Sequence, residues 1–263
     1  NYGKKFYGPS TLRTGLEKSR NLMTVRIALD VGINKIMSMT KKLNIYENPE
    51  ELFSISLGTA ETTLLKLTSA YSTFVNEGVY VKPVIVNRIE DKNGTVLYQH
   101  VPQTRDVLNK EAAYVTVNLL EGVTQYGSGA RLRGTYAKEF DHYKRGVTGY
   151  PYDFKNPIAG KTGTTQNQSD GWFMGMVPNL VTGVWVGAED RAVHFPGITY
   201  GQGATMALPI WGMYMKDLYE DEELDVSQEA FPKPDNLSIA TDCEQYNQEN
   251  QSQTDSVPDE LDF

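Results

Sequence analysis

The 263-residue sequence has little of what several common classes of functional site require. It contains one cysteine, Cys243, which excludes an internal disulfide, a CxxC redox motif and a zinc site built on cysteines. Its three histidines are too far apart for metal-ligand spacing, at His100, His142 and His194. The glycine-rich fingerprints of Rossmann and P-loop proteins are also missing, which argues against those nucleotide-binding folds.

Basic charge and long apolar runs are missing as well. The formal net charge is −8, which argues mildly against nucleic acid as the main partner, since phosphate binding needs clustered Lys and Arg. No apolar run approaches the roughly 18 residues that cross a bilayer, and no signal peptide is visible. The first residue is Asn1 rather than Met, so we expect the chain to be a piece of a longer protein, and the lack of a targeting segment says nothing about that parent.

What the sequence does have is enough apolar residues, 40%, for a substantial core, and a clear order of periodicities. Apolar spacing predicts helices over 10–18, 22–30, 33–43, 61–76, 110–125 and 204–219. Alternation predicts strands over 79–89, 96–98, 158–165, 171–177 and 181–187. We expect Thr59 and Asn109 to cap helices, and Lys92-Asn93-Gly94 to form a hairpin turn. Helices first, then strands, then a final helix predict an α+β fold with an antiparallel sheet.

The composition changes after about Asp225, where Asp, Glu, Gln, Asn, Ser and Pro dominate. Such a segment cannot bury enough apolar surface to order itself. We therefore predict one folded domain over 1–225 and a disordered, acidic polar tail over 226–263.

The most informative stretch is Lys161-Thr162-Gly163-Thr164-Thr165, at the end of a predicted strand. A lysine, hydroxyls and a glycine on a strand edge make an anion-binding surface, and K-T-G is an element of serine acyl-transfer enzymes. The ordinary alternative is a solvated lysine at a strand edge. Ser19-Arg20-Asn21 adds an S-x-N element upstream, whose alternative interpretation is that Ser19 caps the helix predicted from Leu22.

Several motifs in the same order are more specific than any one of them. They lie at 6–13, 17–21, 160–165, 169–173 and 207–211. Together they make residues 1–220 resemble the transpeptidase domain of class A, bifunctional penicillin-binding proteins. The resemblance implies the penicillin-binding protein and serine β-lactamase-like fold, in which helices flank an antiparallel sheet and an all-helical subdomain lies beside it. Residues 1–225 would then be a partial, N-terminally truncated transpeptidase domain.

The resemblance also implies roles for individual residues. Ser19 matches the proton relay of the second motif, and Asn21 matches its substrate-amide contact. Lys161 matches the lysine that favours an anionic substrate and eases proton transfer. The substrate-binding positions are Thr162, Gly163, Thr164 and Thr165. Within this set, Thr162 and Thr164 match positions that bind the substrate carboxylate, and the backbone N–H of Thr164 matches half of an oxyanion hole.

One departure from the family pattern concerns the nucleophile. The family's first motif is S-x-x-K and belongs several tens of residues before S-x-N, whereas this sequence begins eighteen residues before Ser19. The S-x-x-K string that does occur, Ser38-Met39-Thr40-Lys41, is in the wrong order and late in an amphipathic helix, so we reject it. We expect no nucleophile in this chain, and therefore an inactive fragment. Gly127-Ser128-Gly129-Ala130 suits a phosphate loop, but a flexible bend near the mouth of the site is the better interpretation.

The function implied for the parent is peptidoglycan D,D-transpeptidation through a serine acyl-enzyme, without a metal or organic cofactor. The implied partners are D-Ala-D-Ala stem peptides and β-lactams, with cell-wall synthesis proteins as further candidates. The implied location is the periplasmic face of the cytoplasmic membrane, reached through an anchor absent from this sequence, with a glycosyltransferase domain upstream. The alternatives are a D,D-carboxypeptidase or β-lactamase of the same fold, and a catalytically silent module that binds peptidoglycan or a partner protein.

Overall fold

The computed structural model describes residues 7–46, 50–134 and 151–241. Its α-helices are Leu12–Glu17 (α1), Asn21–Val31 (α2), Ile33–Lys42 (α3), Leu64–Val75 (α4), Lys110–Gln125 (α5) and Gly203–Glu220 (α6). Its strands are Val79–Val81 (β1), Arg88–Glu90 (β2), Val96–Gln99 (β3), Thr104–Asp106 (β4), Ala159–Thr164 (β5), Asp170–Val177 (β6) and Leu180–Gly187 (β7). The predicted α+β class, with antiparallel pairing, is confirmed.

The centre of the fold is a three-stranded antiparallel sheet in the order β5-β6-β7, covered on both faces. Side chains of β6 alternate between two cores, as a period of two requires. Phe173 and Val177 pack against α6, where Trp211 is fully buried. Met176 packs on the other face with α5 and α4. This double covering fixes β5, the edge strand that carries the K-T-G stretch.

A helical part lies beside the sheet, as predicted. Helix α2 packs against α3 and against a short 3-10 helix at Phe53–Leu57. The break between α2 and α3 is at Gly32, whose φ of 88° is the left-handed conformation that glycine adopts at little cost.

The predicted helix cap at Asn109 and the predicted hairpin turn at Lys92-Asn93-Gly94 are both confirmed. The Asn109 side chain accepts a hydrogen bond from the Ala112 N–H (2.7 Å) at the start of α5. The predicted hairpin joins β2 to β3, and the Asp91 carboxylate accepts from the N–H groups of Asn93 (2.8 Å) and Thr95 (2.9 Å). Both arrangements satisfy backbone donors locally, which is why sequence alone indicates them.

Two predicted elements are wrong in detail. Helix α4 begins at Leu64 with Thr63 as its cap, whereas the Thr59 hydroxyl bonds to Ser54. The predicted strand 79–89 is two strands, β1 and β2, which pair with different partners. Pro83 lies between them, and proline has no N–H to donate to a ladder.

The first compact unit extends to Pro232, seven residues beyond the boundary predicted at Asp225. Phe231 is buried with α5 residues in the core, and the Ser227 N–H donates to the Asn179 side chain (2.9 Å). Val226 also packs against the core that contains α6, so two apolar side chains and a hydrogen bond attach this segment to the folded unit. Residues 242–263 lie outside the described residues, so the predicted disorder of the tail stays a prediction, and residues 233–241 belong to a separate unit. None of the described helices has the length and apolar character needed to cross a membrane.

Candidate active site

The loop that joins α1 to α2 presents Ser19 in an unusual backbone conformation. Its φ is 51°, in the left-handed region that non-glycine residues seldom adopt. The loop is held because the Ser19 N–H donates to the Leu16 carbonyl and the Arg20 N–H donates to the Gly15 carbonyl. Arg20, not Ser19, is at the N-cap of α2, which has no side-chain cap. The alternative interpretation of Ser19 as an ordinary helix cap is therefore wrong.

Lys161 of β5 meets Ser19 across the sequence. Its ammonium donates to the Ser19 hydroxyl (2.9 Å) and to the Thr162 backbone carbonyl (2.8 Å). Burial lowers the pKa of the Lys161 ammonium from 10.5 to about 8, because desolvation penalises the charged form. The ammonium is thus still charged at neutral pH and lies directly beside a hydroxyl that it can polarise.

Asn21 is the first residue of α2 and is exposed to solvent. It lies two residues beyond Ser19, at the same end of the helix. Its exposed position is compatible with contact to a substrate amide, the role implied by the resemblance. That role stays a prediction.

The Thr162 hydroxyl lies 2.6 Å from the hydroxyl of Ser128, a residue that sequence reasoning did not place in the site. Both side chains are half-buried. The signal in the sequence is the predicted bend at Gly127–Ala130, which we expect near the mouth of the site. Arg131, just beyond the bend, donates to the Ala204 carbonyl (3.1 Å), and this contact holds the bend against the start of α6.

Thr164 joins the end of β5 to the start of α6. Its hydroxyl accepts a hydrogen bond from the Gly203 N–H (3.0 Å), the first residue of α6. The Thr165 N–H donates to the Asp170 carbonyl, so Thr165 bonds towards β6, and the alternation of an antiparallel ladder directs the Thr164 N–H to the opposite side. Thr164 therefore offers a backbone donor at the open edge of the sheet.

The Thr165 hydroxyl is used within the β5–β6 turn. It accepts from the Asp170 N–H (2.9 Å) and lies 3.1 Å from the Ser169 hydroxyl. The Asp170 carboxylate also accepts from the Trp185 indole N–H (2.9 Å). These contacts fix the turn that follows Thr164. They give no support to the expected substrate-binding role of Thr165, whose hydroxyl instead holds this turn in place.

Ser38, the rejected candidate nucleophile, is exposed on α3, and Lys41 is exposed on the same helix. Among the described residues, no hydrogen bond joins either of them to Ser19 or Lys161. The rejection of Ser38 therefore agrees with the geometry. Gly163 lies between Lys161 and Thr164, and a side chain there would press on the Cβ of Trp172 at 3.0 Å.

Comparisons with known proteins converge on one family. The family model described as the penicillin binding protein transpeptidase domain matches residues 1–189. Penicillin-binding protein 1A of Rickettsia bellii is 36% identical over 229 residues, which cover 84% of this chain and 28% of that protein. Penicillin-binding protein 1A of Aquifex aeolicus is 36% identical over 232 residues, covering 87% and 29% respectively. The chain therefore spans less than a third of the length of these curated relatives.

Solved structures share the fold. Penicillin-binding protein 1A from Haemophilus influenzae superposes with a TM-score of 0.72 and 23% identity, over 89% of this chain and 37% of that one. PonA1 from Mycobacterium tuberculosis, solved in complex with penicillin V, gives a TM-score of 0.70 and 23% identity, over 90% of this chain and 62% of that one. The expected penicillin-binding protein fold is confirmed.

Proposed function

The chain belongs to the family of penicillin-binding protein transpeptidase domains of class A, and on that premise we propose that it supplies part of the active site of a serine-type peptidoglycan D,D-transpeptidase. The observation that carries the proposal is the hydrogen bond between the Lys161 ammonium and the Ser19 hydroxyl (2.9 Å). It joins two motif residues that are 142 positions apart in the sequence. Acyl transfer by a serine needs such a proton route beside a cationic site for an anionic substrate.

The nucleophile of the proposed reaction comes from outside these 263 residues. The sequence contains one S-x-x-K string, which begins at Ser38. Ser38 is exposed on α3 and has no hydrogen bond to Ser19 or Lys161 among the described residues, so we reject it as the nucleophile. The external serine attacks the carbonyl of the penultimate D-Ala of a stem peptide and gives its proton to its own lysine base. The peptide bond then breaks, and D-Ala leaves with a proton returned through Ser19.

Residues of this chain hold the substrate in that step. The Thr164 N–H donates to the carbonyl oxygen as negative charge develops there, as half of an oxyanion hole. Thr162 and Thr164 hydroxyls bind the terminal carboxylate, and Asn21 binds a backbone amide of the peptide. Within the described residues, two of the three Lys161 protons are committed to Ser19 and Thr162, so the third is left to attract the carboxylate.

The acyl group then passes to an amine of a neighbouring strand, which cross-links peptidoglycan. β-Lactams acylate the same serine. The whole protein acts on the periplasmic face of the cytoplasmic membrane, held by an anchor outside this chain. The support for this location is membership of the penicillin-binding protein family.

Labelling by a fluorescent penicillin tests the proposal, on this chain and on a longer protein that includes the sequence upstream in its gene. We expect only the longer protein to label. Failure of both folded proteins to label would favour the silent binding module. Labelling of the short chain would place the nucleophile within it, and Ser38→Ala would then be the first variant to measure.

Substitution of Lys161 by alanine in the longer protein should remove most labelling, because the site loses its cation. Lys155→Ala is a matched control, since that lysine is exposed and pairs with Asp153 (2.7 Å). Near-normal labelling of Lys161→Ala would contradict the assignment. Release of free D-Ala without cross-linked product would identify a carboxypeptidase instead.

A further inference from the structure

The bend after α5 contacts both motif segments of the site. Ser128 donates its backbone N–H to the Glu17 carbonyl (3.0 Å), two residues before Ser19, and its hydroxyl lies 2.6 Å from that of Thr162. One residue thus joins the loop that carries Ser19 to the strand that carries Lys161.

The bend is shaped for this double contact. A side chain at Gly127 would overlap the Glu17 and Val123 carbonyls, and one at Gly129 would press on the Val123 carbonyl at 3.2 Å. The Gly129 N–H donates to that same carbonyl (2.9 Å). Backbone packed this closely leaves Ser128 little freedom, so its hydroxyl is directed at Thr162.

The protons of the two hydroxyls decide what Thr162 can do. A threonine hydroxyl has one proton to donate and two lone pairs that accept. If Thr162 donates to Ser128, its proton is used and Thr162 offers a carboxylate only lone pairs. If Ser128 donates to Thr162, the Thr162 proton is available to an anion, and a chain of two hydrogen bonds in the same direction strengthens both.

We propose that Ser128 is a positioning residue that donates to Thr162 and thereby directs the Thr162 proton at the substrate carboxylate. The inference rests on the proposed function, because it concerns the same substrate. Ser128 therefore determines the preference for a free C-terminal carboxylate over a neutral terminus, and contributes less to binding the rest of the peptide.

The test is equilibrium binding, by calorimetry, of N-acetyl-D-Ala-D-Ala and of its C-terminal amide to the longer protein with its upstream S-x-x-K serine replaced by alanine, so that the peptide is bound but not cleaved. For the wild-type protein we expect the acid to bind more tightly than the amide. In Ser128→Ala the affinity for the acid should fall about 5- to 10-fold, typical for loss of one hydrogen bond between neutral groups, and the affinity for the amide should change less than about 2-fold. Ser128→Thr, which keeps the hydroxyl, should restore most of the preference.

The control is Ser72→Ala, because the Ser72 hydroxyl donates only to the Ser69 carbonyl of its own helix (2.7 Å). Equal loss for acid and amide in Ser128→Ala, or a wild-type protein with no preference for the acid, would overturn the inference. Penicillin labelling of the matching proteins that keep the upstream serine separates the two proposals. If the protein does not label but still prefers the acid over the amide in a way that depends on Ser128, the role of Ser128 is retained. The same result would refute the proposed transpeptidase function.

Discussion

The β5-β6-β7 sheet and the ribbon formed by β2 and β3 are both antiparallel, but they differ in what covers them. The last five residues of β6, 173–177, are all buried, and Phe173 and Val177 lie in the core formed with α6. Every residue of β2 and β3 is exposed, including Leu97 at 65%. Apart from Asn21, the first residue of α2, the residues of the proposed site are on the covered sheet or on loops that contact it. Covering on both faces fixes β5 to within the tolerance that a hydrogen-bonded site requires, and a bare ribbon cannot do this.

The largest effect expected from this difference is at Trp211. Its ring makes edge contacts with Phe173 (5.2 Å between centroids) and Phe154 (6.4 Å), and it is fully buried. We expect Trp211→Ala to lower the free energy of unfolding by about 3–5 kcal/mol, the usual range for a large cavity. Leu97→Ala should change it by less than about 0.5 kcal/mol. Denaturant unfolding of both variants measures the contrast, and similar losses would mean that the ribbon is packed in the whole protein.

A somewhat smaller effect is expected where α6 approaches β5. A side chain on Gly203 would overlap the backbone carbonyls of Gly163 and Trp172, which cannot rotate away. We expect Gly203→Ala to cost about 3 kcal/mol, near the upper end for overpacking, and to weaken penicillin labelling because Thr164 loses its contact with the Gly203 N–H. Gly197→Ala is the control for an added methyl group, since nothing lies within 4 Å of a Cβ there and its backbone is not in the left-handed region. A stable Gly203→Ala with normal labelling would show that α6 does not position Thr164.

The third effect separates the folded unit from the tail. Truncation after Asp225 removes Phe231, whose burial is worth about 2 kcal/mol, and the hydrogen bond from Ser227. Truncation after Pro232 keeps both and should leave the melting temperature nearly unchanged. Equal melting temperatures for the two truncated proteins would restore the boundary at Asp225.

How much the sequence predicted depends on how far each interaction reaches along the chain. The Asn109 cap and the Asp91 turn close within four residues, so local rules suffice. Thr59 and Thr63 are both acceptable caps by residue type, and the sequence alone does not select Thr63. The average composition after Asp225 is polar, so the sequence predicts the end of the folded domain there. An average over a window does not show that the single ring of Phe231 is buried.

The site shows the same dependence on distance. Motifs indicate Ser19 and Lys161, although their contact spans 142 positions and no local pattern implies it. Ser128 lies outside the motifs that carry the family resemblance, and its contact with Thr162 spans 34 positions, so only the folded structure shows it. Thr165 matched the motif, but its hydroxyl is used in a turn whose geometry depends on Asp170.

The smallest effect at neutral pH concerns the Lys161 charge. With a pKa of about 8, roughly a tenth of the lysine is neutral at pH 7, and this fraction grows steeply above pH 8. The acylation rate by penicillin should therefore fall as the pH rises through about 8. Stability should change in the opposite direction. Between about pH 8 and 10.5 the unfolded chain still holds the proton that the folded protein has released, so the free energy of unfolding rises with pH.

This pair of opposite trends distinguishes Lys161 from a general alkaline loss of structure, which would lower rate and stability together. Arginine stays charged throughout this range. We expect Lys161→Arg to be acylated more slowly than the wild-type protein, but without a fall in the rate near pH 8 from loss of this charge. Lys161→Met should remove the rise in stability between pH 8 and 10.5. A wild-type rate that stays level to pH 10, in a protein that remains folded, would show that Lys161 is not desolvated enough to titrate early, and that the contact with Ser19 is more open to water than its geometry indicates.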